Sequence, residues 1–212
     1  MKKILLIGDS IRQGYDKPVR EALAGQAEVY FPGENCRFAQ YVLRNVREWK
    51  VQLKLQDGVD LVHWNAGLWD TLHLNGDDEP LTPPDVYAAF IRRCAIHIRK
   101  NFPDAIQIFA LSTPVVEDRF DKANAYRLNE ETMHYNRLAK EALADLDVKI
   151  NDLWSVAEAL PLEAYSDMTH LYTPIGTEAM SNAVLRAIIP PLGKKPVTYD
   201  GAAQKNDTVI GQ

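Results

Sequence analysis

Short apolar runs alternate along this chain with longer stretches whose apolar residues recur at helical spacing. The runs at 4–7, 28–31, 60–64, 106–111 and 148–150 are three to six residues long and read as strands, the first of them buried on both faces. The segments between them read as helices. In the helix predicted over 37–49, Phe38, Tyr41, Val42, Val46 and Trp49 fall on one face. Further helices are predicted over 17–24 (capped by Asp16, stopped by Gly25), 84–100, 129–146, 153–160 and 174–189. Pro174 suits a first helical turn, and Pro190-Pro191 ends the last helix. Residues 68–84 hold Gly76, Asp77, Asp78, Pro80, Pro83 and Pro84 and read as a loop, as do 115–128. Loops of that length often bind ligands.

Strand–helix alternation implies crossover units and an α/β fold: a three-layer α/β/α sandwich around a five-stranded, mostly parallel, doubly wound sheet. We expect one domain over 1–192 and a polar, turn-rich tail over 193–212 that is extended, mobile or held by a neighbour. Sheets of this kind bind ligands beyond the carboxyl ends of their strands. Three residues of chemical interest fall there: Ser10 after the first strand, Gly33 after the second and Asn65 after the third.

Composition narrows the function classes. A chain of 212 residues, 46% hydrophobic and 25% charged, has the make-up of an ordinary globular domain. A net charge of -5, with basic residues only in short pairs such as Lys2-Lys3, Arg92-Arg93 and Lys194-Lys195, offers no basic surface for nucleic acid. Two cysteines, Cys36 and Cys94, form no disulfide framework, and reduced thiols are expected. The apolar run after Met1-Lys2-Lys3 stops at Gly8, too short for a signal core, and no segment reaches the ~18 apolar residues of a membrane helix. A cytoplasmic protein with no membrane partner is expected.

The candidate chemistry lies at the two ends of the chain. Ser10 follows Gly8-Asp9, and Asp167 precedes His170 by three residues. A serine hydroxyl needs a base to become a nucleophile, and a histidine base needs a third group to fix its tautomer; these three residues supply the parts. An oxyanion formed by attack on an ester requires fixed donors, for which the candidates are the N–H groups of Ser10 and Gly33 and the side-chain amide of Asn65. Ordinary readings stand beside these: Ser10 or Asp167 as a cap, Gly33 or Asn65 as turn residues, His170 as a loop histidine. Asp9, Arg12, Glu34, Trp69 and Asp70 are candidate substrate contacts, with His73, Tyr15, Trp64, Tyr165 and Tyr172 close by in sequence. His63, His97 and His134 lie within predicted strands or helices, and no metal-ligand cluster or cofactor motif is present. Phosphate-loop, dinucleotide and nucleophile-elbow motifs are absent.

Gly8-Asp9-Ser10, Gly33, Asn65 and Asp167-x-x-His170, in that order, resemble the motif blocks of the SGNH (GDSL-type) hydrolases over most of the first 180 residues. The resemblance implies a flavodoxin-like SGNH fold, no cofactor, and a serine esterase with Ser10, His170 and Asp167 catalytic and Ser10, Gly33 and Asn65 forming the oxyanion hole. The third block departs from the family's Gly-x-Asn-Asp and reads His63-Trp64-Asn65-Ala66, with Gly67 and Asp70 at other offsets. The expected substrate is a small acyl ester, acetyl foremost, of a carbohydrate or similar polar molecule. The alternatives are a thioesterase or lysophospholipase of the same architecture, or a ligand-binding relative without turnover. The oligomeric state is not legible.

Overall fold

Seven strands occur among the described residues: β1 (Lys2–Ile7), β2 (Ala27–Tyr30), β3 (Leu61–Trp64), β4 (His73–Leu74), β5 (Ile106–Ala110), β6 (Ala125–Tyr126) and β7 (Val148–Asn151). The computed structural model describes residues 1–201, and the rest of the expected tail, 202–212, lies outside the described residues. Five strands form one sheet in the order β2-β1-β3-β5-β7, every neighbouring pair parallel. The expected three-layer architecture follows from which side chains each strand sends to each face. Leu5 and Ile7 of β1 point to one side with Val62, Trp64 and Phe109. Ile4 and Leu6 point to the other with Leu61, Ile108 and Ala110. Successive strand residues face opposite ways, so strands apolar throughout require helices on both sides.

Helices α2 (Ala39–Gln52), α3 (Pro84–Asn101) and α4 (Asn129–Leu143) cover the first face. Helices α1 (Ser10–Ala22), α5 (Leu153–Glu158) and α6 (Pro174–Ile188) cover the second. Most boundaries lie within three residues of the sequence expectation; α1 is the exception. Reading Asp16 as a cap placed its predicted start at residue 17, whereas the helix begins at Ser10 and runs through Pro18. Asp9 caps it, its carboxylate accepting the Ile11 N–H at 2.9 Å. Burying Ile11, Tyr15 and Val19 stabilises the helix by roughly 1.5–3 kcal/mol each and outweighs the ~3 kcal/mol that an internal proline costs.

The two long loops are joined. Short strands β4 and β6 pair as an antiparallel ribbon, His73 opposite Tyr126 and Leu74 opposite Ala125. Neither strand was legible in the sequence, because two residues carry no periodicity. The described part of the tail packs back on the domain, where Tyr199 N–H donates to Asn182 Oδ1 at 2.8 Å and Asn182 Nδ2 donates to the Tyr199 carbonyl at 3.0 Å. No described helix is long and apolar enough to cross a membrane.

Candidate active site

Ile7 pairs with Trp64, so β1 and β3 end level and the Asn65 N–H donates to the Ile7 carbonyl at 3.1 Å. The chain after β2 returns to the same edge, where Cys36 N–H donates to the Gly8 carbonyl at 3.0 Å. Gly8 admits this crowding: a Cβ there would lie 2.0 Å from Asn65 Oδ1. Ser10 opens α1, so its hydroxyl stands at the positive end of a 13-residue helix.

Ser10, His170 and Asp167 meet although 160 residues separate the first two. His170 Nε2 lies 2.8 Å from Ser10 Oγ, and Nδ1 lies 2.7 Å from Asp167 Oδ2. An ionised carboxylate only accepts, so Nδ1 carries the proton and Nε2 is left as acceptor for the serine O–H. Asp167 Oδ1 accepts the backbone N–H groups of Thr169 and His170 at 2.7 and 2.8 Å. Partial burial raises the Asp167 pKa, but those two donors and the imidazole outweigh it, and the carboxyl stays below its ordinary 3.8. Asp167 therefore orients His170 and caps its loop at once. Tyr172 adds two contacts: its ring stacks on His170 with centroids 4.6 Å apart, and its hydroxyl donates to the Ser10 carbonyl at 2.5 Å.

The three candidate oxyanion donors differ in setting. The Ser10 N–H lies at the helix start, and Asn65 is 4% exposed beside Gly8 and Asp9. Gly33 lies exposed in the turn after β2, with open space where a Cβ would stand. Arg12 ties this turn to α1. Its Nη2 donates to the Glu34 carbonyl, its Nε to the Gly8 carbonyl at 3.4 Å, and its Nη1 pairs with the buried Asp16. Removing one member of such a buried pair costs about 3–5 kcal/mol, so Arg12 is a staple of the site.

Several candidate substrate contacts are corrected by burial. Asp9, Arg12 and Asp70 are 0%, 1% and 0% exposed and present no side chain to solvent. Asp9 caps α1, and Asp70 accepts the Ala39 N–H that opens α2, at 3.1 and 3.2 Å from its two oxygens. Burial pushes both carboxyl groups up, Asp70 to about 7. Glu34 is exposed, but its carboxylate is held by Trp49 Nε1 at 2.8 Å and Tyr41 OH at 2.6 Å. His73 is buried in the ribbon, stacked on Tyr126 and 2.7 Å from Glu131. Tyr15 and Trp64 belong to the core, and Tyr165 donates to the Pro114 carbonyl at 3.3 Å. Trp69 is half-buried in the loop after Asn65. Both thiols are buried and free, and burial raises their pKa values. Among the described residues no group of three His, Cys, Asp or Glu side chains converges as a metal site requires.

Sequence reasoning missed one residue. Arg127 is 9% exposed, and its Nε donates to the Leu68 carbonyl, three residues beyond Asn65. It lies within electrostatic reach of Asp9 and Asp167. A lone arginine in a loop carries no signal that separates it from a solvated one.

No protein-family model matches the sequence, and no curated protein matches it. Solved structures do match its fold. A lipase/acylhydrolase from Enterococcus faecalis is 19% identical, with a TM-score of 0.68 over 92% of this chain and 98% of that one. A catalytic mutant of Axe2, an acetylxylan esterase from Geobacillus stearothermophilus, is 17% identical, with a TM-score of 0.68 over 94% and 97%. A candidate GDSL-like lipase from Parabacteroides merdae is 14% identical, with a TM-score of 0.65 over 88% and 94%. The chain therefore has the fold of the SGNH (GDSL-type) hydrolases, as its motif blocks led us to expect.

Proposed function

We propose that this protein is a serine esterase that removes a small acyl group, acetyl foremost, from a carbohydrate or similar polar molecule. The observation that carries the reading is the hydrogen-bonded series Ser10 Oγ–His170–Asp167 at 2.8 and 2.7 Å. Its setting beyond the strand ends, in a fold shared with an acetylxylan esterase and a lipase/acylhydrolase, agrees with it.

The steps follow from the geometry. Ser10 Oγ attacks the ester carbonyl while His170 Nε2 takes its proton, and Asp167 stabilises the imidazolium. Negative charge gathers on the former carbonyl oxygen, facing the N–H groups of Ser10 and Gly33 and the Asn65 amide. The intermediate collapses, the alcohol leaves with the proton from His170, and an acyl group remains on Ser10. Water, deprotonated by the same imidazole, then releases the acid and restores the serine.

Hydrolysis of p-nitrophenyl acetate by the purified protein, its loss in Ser10→Ala, and a fluorophosphonate adduct mapped to Ser10 are the expected results. Unchanged activity in Ser10→Ala would overturn the nucleophile assignment. Preference for long acyl chains across a chain-length series would replace the acetyl-esterase reading with the lysophospholipase or thioesterase one.

A further inference from the structure

We infer that Arg127 recognises a carboxylate on the ligand, so that the ester bound at this site is anionic. The inference rests on the esterase reading for the identity of the site. Its ground is the contrast between two buried arginines. Arg12 has a partner for each of its nitrogens, in Asp16 and the carbonyls of Gly8 and Glu34. Arg127 is almost as secluded, yet only its Nε is satisfied, by the Leu68 carbonyl. Among the described residues neither Nη has a hydrogen-bond partner and no carboxylate pairs with the guanidinium.

Position gives that unpaired fork its meaning. Leu68 belongs to the loop that starts at Asn65, and Arg127 feels the charges of both Asp9 and Asp167, which flank Ser10 and His170. The guanidinium therefore lies against the loop that follows Asn65, within electrostatic reach of the segments that carry Ser10 and His170. It is prepositioned there. The ribbon of β4 and β6 ends one residue before it, Asn75 N–H donates to the Asn124 carbonyl at 2.7 Å, and Val116 N–H donates to the Met168 carbonyl at 2.8 Å. Among the described residues no carboxylate comes within ion-pair distance of the guanidinium: Asp167 is held by His170 and two backbone N–H groups, and Asp9, which accepts the Ile11 N–H through Oδ1 and leaves Oδ2 without a hydrogen bond, acts on Arg127 only at longer range.

The Arg127 Nη atoms are not sealed from solvent, so water serves them until an acceptor arrives, and in a site this enclosed a charged acceptor forms stronger hydrogen bonds than the water it displaces. A guanidinium edge matches the two oxygens and single charge of a carboxylate through parallel hydrogen bonds. Burial lowers the Arg127 pKa only to about 10, so the group is cationic at neutral pH.

The test reads binding without turnover, by calorimetry on the Ser10→Ala protein. Monomethyl succinate against dimethyl succinate places the charge on the acyl side, and acetoxyacetate against its methyl ester places it on the alcohol side. We expect at least one acid to bind about tenfold or more tightly than its neutral counterpart. Adding Arg127→Gln should abolish that preference, and Arg127→Lys should retain part of it. Equal binding of acid and neutral ester in both pairs overturns the inference, whether or not the glutamine variant folds, and so does a preference that survives Arg127→Gln. Binding with preference in a wild-type protein that hydrolyses no ester and takes no phosphonate would sink the esterase reading and leave the role of Arg127 standing.

Discussion

Replacing Asp167 in two ways separates its two duties. In Asp167→Asn the amide oxygen can still accept the Thr169 and His170 N–H groups, which now lie 2.7 and 2.8 Å from Oδ1. The amide nitrogen then faces His170 Nδ1 at the position of Oδ2, 2.7 Å away. Two donors cannot share that gap, so the imidazole proton moves to Nε2. Nε2 then donates where it should accept, and Ser10 loses its base. The loss in kcat should be about 10⁴-fold, with KM little changed. In Asp167→Ala both backbone N–H groups lose their acceptor as well. Hydrogen bonds to a charged group contribute about 1.5–3 kcal/mol each when secluded. The Asp167 side chain is 38% exposed, so water replaces much of this, and a combined loss of about 1–3 kcal/mol is expected. For a chain of this size that corresponds to a melting temperature lower by roughly 2–10 °C.

The assay is p-nitrophenyl acetate hydrolysis at neutral pH beside a thermal melt of each variant. Both variants should be nearly inactive, but only the alanine variant should melt early. An asparagine variant within about tenfold of wild-type kcat would refute the orienting role, because the tautomer argument allows no such survival. An asparagine variant that melts as low as the alanine one would refute the capping role.

Other outcomes follow from the same contacts. Asn65→Ala should lower kcat by about 10²–10³-fold with a near-normal fold, and an unchanged kcat would remove Asn65 from the oxyanion donors. Gly14→Ala places a Cβ 2.8 Å from the Tyr172 ring, so it should displace the ring stacked on His170 and reduce activity, whereas wild-type kinetics would show that Tyr172 can move without cost. The Asp70 carboxyl rises from 3.8 to about 7 on folding, so its contribution to stability is full below pH 3.8 and is lost as pH climbs through 7. Urea midpoints of Asp70→Asn relative to wild type should therefore improve from pH 5 to pH 8, and a constant difference would show that the charged form carries no penalty.

The main sheet was legible because its strands are apolar on both faces, a pattern that only a sheet covered on both sides can bury. Ser10 and Asn65 stood out as candidates because each follows the end of an apolar strand run, 4–7 and 60–64, and His170 because Asp167 precedes it by three residues. The roles of Asp9, Arg12 and Asp70 were misread for a shared physical reason. A charged side chain near a motif reads as a solvent-facing contact, yet each is consumed by backbone groups that the turns leave unpaired: the Ile11 N–H, the Glu34 carbonyl and the Ala39 N–H. Arg127 was invisible because its position depends on a two-residue ribbon, and pairing between two loops leaves no period in either.

The joining of the chain's two ends has a structural cause. Helices α1 and α6 pack side by side on one face of the sheet, through Ile11, Tyr15 and Val19 on one and Met180, Val184 and Ile188 on the other. Helix α1 follows β1 directly and so starts at the carboxyl edge of the sheet, and the chain beyond β7 passes through α5 before the loop of Asp167 and His170 brings the start of α6 to the same edge. Ser10 is the first residue of α1, and His170 stands four residues before Pro174, the first of α6. Gly176 holds the histidine loop against that start: a Cβ there would lie 2.5 Å from the Ala164 carbonyl oxygen and 2.6 Å from that of Leu171. Tyr172 then reaches across to Ser10 because Gly14 leaves its ring room. The geometry of serine and histidine is thus set by how closely two helix starts approach, and glycines at 14 and 176 permit that approach. A hydroxyl and an imidazole held by packed helices are positioned before any ligand arrives, which is the condition under which a weak nucleophile becomes a useful one.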